Sequence, residues 1–277
     1  MNATRGFGRA VVRLGAVSYL NARPLVYGLE RSPRFAIRYD IPSECGRLLH
    51  AHDIDVGLIP SIEYLRGPRP YWIVPGPAIA SRGPVASVAL YTRKDLRDIR
   101  SIAMDTSSRT SVALAMVLAR RMFGIAPEPI AMAPNLEAML ARADAAVIIG
   151  DNALFLTTRT EKIDLGEEWT NLTGLPFVYA VWTGWPDALT PADIELLQHA
   201  RDEGVAHSDA VADACFPDSA ERRAVARRYL RDNIHYFLGP EETAGLDMFY
   251  RYAAEQGLVL YDGTLNTYAA AEHHGAR

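Results

Sequence analysis

The stretch SIAMDTSSRTSVALAMVLARRMFG, Ser101 to Gly124, changes its hydrophobic period in mid-course. SIAMD is a short apolar run of strand length, whereas from Thr110 onward the apolar positions recur at helical spacing, and Gly124 stands where a C-cap glycine belongs. Between them lie Thr106, Ser107, Ser108, Arg109, Thr110 and Ser111. A strand feeding a helix through a tight polar loop is the repeating unit of an α/β chain. Reading outward finds the unit again. APEPIAMAP, NLEAMLARAD and AAVIIGD continue as strand, helix, strand, and SVALYTRK precedes as another strand. Nearer the amino end, VVRLGAVS reads as the first strand, leading past Asn21 into a helix near Pro24 to Glu30. FAIRYDIP, ECGRLLHAHD with Ser43 as its cap, and DVGLIPS follow as strand, helix, strand.

The segment from Arg66 to Val85 is rich in Pro and Gly, which predicts turns and extended chain. FVYAVWTGW, Phe177 to Trp185, is β-type, and from Thr190 the patterns are amphipathic helices to the end. These patterns predict a two-lobed α/β architecture. Lobe one comprises residues 1–91 and 188–277, with the helical final third packed on it, and lobe two is an insertion at 92–187. The chain is expected to cross between lobes near 91–97 and 180–190, leaving a ligand cleft between them.

At 277 residues with 49% hydrophobic and 22% charged, the chain has ample apolar surface for a core. A net charge of −4 argues against nucleic-acid binding by broad phosphate attraction. No apolar run reaches the length of a membrane span, and the arginines at 5, 9 and 13 interrupt the start where a secretory signal would be continuous, so the expectation is a cytoplasmic protein. Cys45 and Cys215 are too few for a disulfide framework. P-loop, GxGxxG, HExxH and GxSxG motifs are all missing, and the seven histidines include no i,i+4 pair, so neither metal nor nucleotide cofactor is expected.

Some loops stand where α/β folds bind ligands, at strand carboxyl ends. Ser18-Tyr19-Leu20-Asn21-Ala22-Arg23-Pro24 is either such a site or a loop in which Asn21 caps a helix begun by Pro24. The hydroxyl-rich loop at 106–111 converges side-chain donors and helix N–H groups, a setting suited to a carboxylate. Asp151 follows the AAVIIG strand and is placed to cap the next helix. Ser81 and Ser87 flank the Gly83-Pro84 turn. The run from Glu221 through Arg231 reads as a solvated helix face.

Taken in order, SYLNARPLVYGL, VGLIPSIEY, SRGPVASVALY, MDTSSRTSVAL, IIGDNAL and GLPFVYAVWTG resemble the MqnA/MqnD family of menaquinone biosynthesis, specifically its chorismate dehydratase branch, over roughly residues 11–265. The resemblance implies the two-lobed fold of type II periplasmic binding proteins. It also implies a cofactor-free conversion of chorismate to 3-[(1-carboxyvinyl)oxy]benzoate and water in the futalosine route. The family's active-site Asn matches Asn21 and its Ser matches Ser87, with Ser81 as the fallback. Ser18, Ser61, Thr106, Ser107, Ser108, Arg109, Thr110 and Asp151 are the expected substrate-binding residues. The sister branch uses a histidine, and the corresponding loops here contain none.

Neither an amide nor an ordinary hydroxyl is an efficient base near neutral pH. The enolpyruvyl carboxylate of the substrate is the expected base, and Asp151 is the protein group to test against it. A non-catalytic two-lobed binding protein for a small carboxylate is the alternative reading.

Overall fold

The computed structural model describes residues 11–269. Arg5, Arg9, His273 and His274, and with them both ends of the expected first lobe, lie outside the described residues. The chain opens with β1 (Val12–Val17), a 3₁₀ helix (Leu20–Val26), a short 3₁₀ turn (Leu29–Arg31), β2 (Phe35–Asp40), α1 (Pro42–His50), β3 (Val56–Pro60), a further 3₁₀ segment (Ser61–Arg66) and β4 (Trp72–Ser81). Then come β5 (Val88–Thr92), β6 (Ser101–Asp105), α2 (Arg109–Arg121), β7 (Glu128–Met132), α3 (Leu136–Leu140), β8 (Ala145–Ile149), α4 (Gly150–Leu154), β9 (Glu161–Asp164) and α5 (Leu165–Thr173). β10 (Phe177–Gly184), α6 (Pro191–Ala206), α7 (Ser208–Cys215), α8 (Ala220–Arg228), a π-helical turn (Tyr229–Asn233), β11 (His235–Leu238) and α9 (Pro240–Glu255) complete it.

The strands form two sheets, ordered β11-β4-β10-β3-β1-β2 and β7-β6-β8-β5-β9. Each sheet is the centre of one lobe. β3 and β10 in the first and β5 and β8 in the second are buried along their whole length, as continuous apolar strands covered on both faces must be. β1 pairs in parallel with β2 and β3, while β10 runs antiparallel to β3 and β4. No helix among the described residues is long and apolar enough to cross a membrane.

The crossings come earlier than the sequence pattern predicts. β5 pairs with β8 and β9, so residues 88–92 already belong to the second sheet and the chain crosses within 82–87. On return, β10 pairs with β3 and β4, so residues 177–184 belong to the first sheet and the second crossing precedes Phe177. The apolar composition of β5 and β10 identifies them as buried strands without saying in which sheet. The final third is not wholly helical, since β11 pairs with β4 as an edge strand of the first sheet.

Two local expectations change as well. α1 begins at Pro42, whose fixed φ suits a first helical position, and Ser43 gives its N–H to the Ser107 carbonyl across the lobes instead of capping. Pro24 lies inside a 3₁₀ helix rather than starting an α-helix. That short helix is held from behind by α6, where Gly204 rests on the Pro24 carbonyl with no room for a Cβ.

Candidate functional site

β1 ends at Val17, β6 at Asp105 and β8 at Ile149, and the segments that follow all meet between the lobes. The register Val88↔Ile149 brings the start of β5, and hence Ser87, beside Gly150. Tyr19, Asn21, Ser87, Ser108, Ser111 and Tyr179 line the resulting cleft, with Val17, Val85 and Ile149 among its apolar walls. Its volume is about 40 Å³. A space of that size admits water and little more, so a ring bearing two carboxylates needs the lobes to part.

Asn21 is the second residue of the 3₁₀ helix and does not cap it; its Oδ1 is buried and without a partner. The amide lies beside the hydroxyl of Tyr229. Ser87 Oγ, itself buried, is 2.7 Å from that same hydroxyl. Tyr229 thus joins Asn21 from the first strand's end to Ser87 at the crossing between the sheets. Burial raises its hydroxyl pKa, which keeps it a neutral donor and acceptor.

The turn that presents Ser87 is held from several sides. Gly83 has φ +79°, and Ala86 has φ +64°, a left-handed conformation unfavourable for a residue with a Cβ. The Asp164 carboxylate accepts the N–H groups of Val85 (3.0 Å) and Ala86 (2.7 Å), and also caps α5. Lys162 Nζ donates to the Ala86 carbonyl at 2.8 Å, and Gly83 N–H donates to Thr170 Oγ1 at 2.8 Å. Ser81 lies one turn away, with Oγ 3.0 Å from the Tyr179 hydroxyl, and does not line the cleft.

Only part of the hydroxyl-rich loop reaches the cleft. Ser108 is the N-cap of α2, its Oγ 3.1 Å from that of Ser111, and these two face the space. Thr106 is exposed and gives its N–H to Met132. Ser107 donates N–H and Oγ to the buried Asp105 carboxylate at 2.9 and 2.6 Å. Arg109 and Thr110 fasten the lobes together, Arg109 to Glu63 at 2.7 Å and Thr110 Oγ1 to the Ile62 N–H at 3.1 Å. Ser61 donates to the Val178 carbonyl and lies 3.4 Å from Thr110 Oγ1, so it too belongs to this contact. Glu63 is fully buried, which favours its acid form, yet His50, Arg109 and Arg66 hold it below the usual carboxylate range.

Ser18 and Asp151 line a neighbouring cavity with Arg23, Tyr39 and Cys215. Asp151 stands in the first turn of α4 and caps nothing there; its carboxylate accepts the Leu20 N–H at 3.1 Å. Burial pushes its pKa up, against that N–H and the charge of Arg23. Among the described residues no group of three His, Cys, Asp or Glu side chains could hold a metal ion.

Tyr229 is the residue that sequence reasoning passed over. It sits in the Arg-rich run taken for a solvated face, and the signal was the pair Tyr229-Leu230, both buried, breaking that run.

Comparison with known proteins agrees with this architecture. A crystal structure of an Archaeoglobus fulgidus protein matches with a TM-score of 0.73 at 17% identity, covering 90% of this chain and 98% of that one. The periplasmic aliphatic sulphonate binding protein of Escherichia coli matches with a TM-score of 0.66 at 16% identity, over 96% and 95% of the two chains. The architecture is therefore the two-lobed periplasmic-binding-protein fold. A chorismate dehydratase of Thermus thermophilus is 31% identical over 255 residues, 85% of this chain and 93% of that one. A profile of the family described as menaquinone biosynthesis matches residues 12–255, and with that match the chain belongs to the menaquinone biosynthesis family.

Proposed function

We propose that this protein is a cytoplasmic chorismate dehydratase of the futalosine route to menaquinone, converting chorismate to 3-[(1-carboxyvinyl)oxy]benzoate and water. The observation that carries the reading is the convergence of Asn21 and Ser87 on the Tyr229 hydroxyl at a closed interlobe cleft, in a chain 31% identical to a chorismate dehydratase.

The reaction removes one ring hydrogen and the neighbouring ring hydroxyl, and the ring becomes aromatic. The drive therefore belongs to the substrate, and the protein's task is orientation and charge stabilisation. The enolpyruvyl carboxylate takes the ring hydrogen as a proton; the electron pair enters the ring and the hydroxyl leaves as water once protonated. Ser108 and Ser111, at the N-terminus of α2, hold the ring carboxylate and the charge that spreads onto it. Asn21 and Ser87 orient the ether side chain and hydrogen-bond the departing hydroxyl, with Tyr229 fixing both. Closure excludes water and strengthens each of these interactions.

The test is to incubate purified protein with chorismate and follow the benzoate product by chromatography and its aromatic absorbance. Product formed by wild type and lost in Ser87→Ala supports the reading. Saturable binding of chorismate without product would replace it with a non-catalytic binding protein for small carboxylates, the role the same fold has in the sulphonate binder.

A further inference from the structure

A two-residue corner of lobe two, Gly150-Asp151, touches the segments bearing both Asn21 and Ser87. Gly150 N–H donates to the Ser87 carbonyl at 2.7 Å. Gly150 has φ +62°, and a Cβ there would come within 2.8 Å of the Tyr19 ring, so the ring lies directly on the glycine backbone. The next residue, Asp151, reaches back across the lobes to the Leu20 N–H, at 3.1 Å to one carboxylate oxygen and 3.4 Å to the other. Leu20 opens the 3₁₀ helix, so its N–H has no partner within that helix, and the helix has no side-chain cap of its own. Asn21 follows immediately. Asp151 itself does not line the cleft, and its side chain faces the adjoining cavity beside Arg23.

We propose that Asp151 is a positioning residue for Asn21: carried on lobe two, its carboxylate caps the Leu20 N–H only when the lobes are closed, and so couples closure to the placement of the Asn21 amide. An open cleft leaves the Leu20 amide to water and the first turn of the 3₁₀ helix unpinned. A closed one fixes Tyr19 against Gly150 and Leu20 against Asp151, the two residues that precede Asn21. Substrate that permits closure thereby assembles the site around itself. The required chemistry at residue 151 is an acceptor of one N–H, not a base.

The kinetic part of the test rests on the proposed chorismate reaction; amide exchange does not. Full-length Asp151→Ala and Asp151→Asn are compared with wild type for kcat and KM on chorismate and for hydrogen exchange across residues 18–24. Loss of one hydrogen bond in the transition state predicts a kcat about tenfold lower in Asp151→Ala, with KM changed less than about threefold. The Leu20 amide exchanges faster in that variant. Asn retains an acceptor oxygen, so Asp151→Asn returns kcat to within about threefold of wild type and restores protection. An Asp151→Asn enzyme that is folded, protected at Leu20 and inactive would overturn the proposal in favour of a carboxylate base. Unchanged Leu20 exchange in Asp151→Ala would also overturn it. If wild type forms no product from chorismate, the proposed function fails, and Leu20 exchange alone decides whether Asp151 pins the segment.

Discussion

Asn21 and Ser87 end on the same tyrosine hydroxyl but are held there by opposite means. The Ser87 turn is fixed by its neighbours in the second lobe and at the crossing: Asp164, Lys162 and Thr170 bind its backbone at Ala86, Val85 and Gly83. The Asn21 segment has α6 behind it and, at the Leu20 N–H, one carboxylate from the opposite lobe. One group is therefore placed before the lobes meet, and the other when they do. A two-lobed protein can in this way keep part of its site standing while withholding the rest until its ligand is enclosed.

The largest effects are expected where the two arms meet. Ser87→Ala and Asn21→Ala should each lower kcat about 100-fold or more, the scale seen on removing one donor that acts on developing charge, with circular dichroism unchanged. Because both side chains share Tyr229, the double variant should lose far less than the product of the two single losses. Full multiplicativity would show that they act independently.

Next in size is the clamp on the Ser87 turn. Asp164→Ala removes the acceptor for two turn amides and the cap of α5, so thermal or urea unfolding should show a loss of about 2–3 kcal/mol. kcat should fall with it, since Ala86 is then free to leave its left-handed conformation. A stability loss with undiminished turnover would mean that Ser87 does not depend on the clamp.

The arm carrying Asn21 has an acid-sensitive support instead. α6, which backs the 3₁₀ helix, is capped by Thr190 and Asp193, and Asp193 pairs with Arg34 at 2.6 Å. Although burial works against ionisation, Arg34 and Thr190 hold the Asp193 pKa down to about 2. A carboxylate depressed in the folded state gives stability that is present above its unfolded pKa near 4 and is lost as pH falls toward 2. Denaturant titrations should show about 2 kcal/mol lost across that window on this account, and Asp193→Asn should flatten that part of the profile. Asp151, raised by burial, has the opposite sign: its contribution to stability declines as pH rises through its folded pKa.

How much of this was legible in sequence follows the same physics. β1, β3, β5, β6, β8 and β10 are largely apolar runs of strand length bounded by turn residues, and a run such as AAVII suits a strand covered on both faces. β9 and β11, EKID and HYFL, are four-residue edge strands partly open to solvent; the charges of the first and the brevity of the second leave little strand signal. The loops at Asn21 and 106–111 were visible as strand ends. Which hydroxyls of the second face the cleft was not, because Thr110 and Arg109 are claimed by Ile62 and Glu63, residues brought near only by the fold. Tyr229 was hidden for the same reason, lying 142 residues from Ser87 along the chain.

The smallest predicted effect separates the two ways of holding a residue most sharply. Ala86 occupies left-handed backbone at φ +64°, a cost of about 1 kcal/mol that glycine would not bear. Glycine also has more freedom to lose on folding, by about 0.5–1 kcal/mol, so Ala86→Gly should shift stability by less than about 1 kcal/mol in either direction. If the turn is kept by Asp164 and Lys162 rather than by the preference of residue 86 itself, kcat should stay within about twofold of wild type, because the clamps bind backbone groups that glycine also has. A kcat that drops tenfold in Ala86→Gly while Asp164 remains in place would show that the Ser87 turn is no more preformed than the Asn21 segment. Both groups would then be assembled only on closure, and the contrast between the arms would be one of hydrogen-bond count without functional consequence.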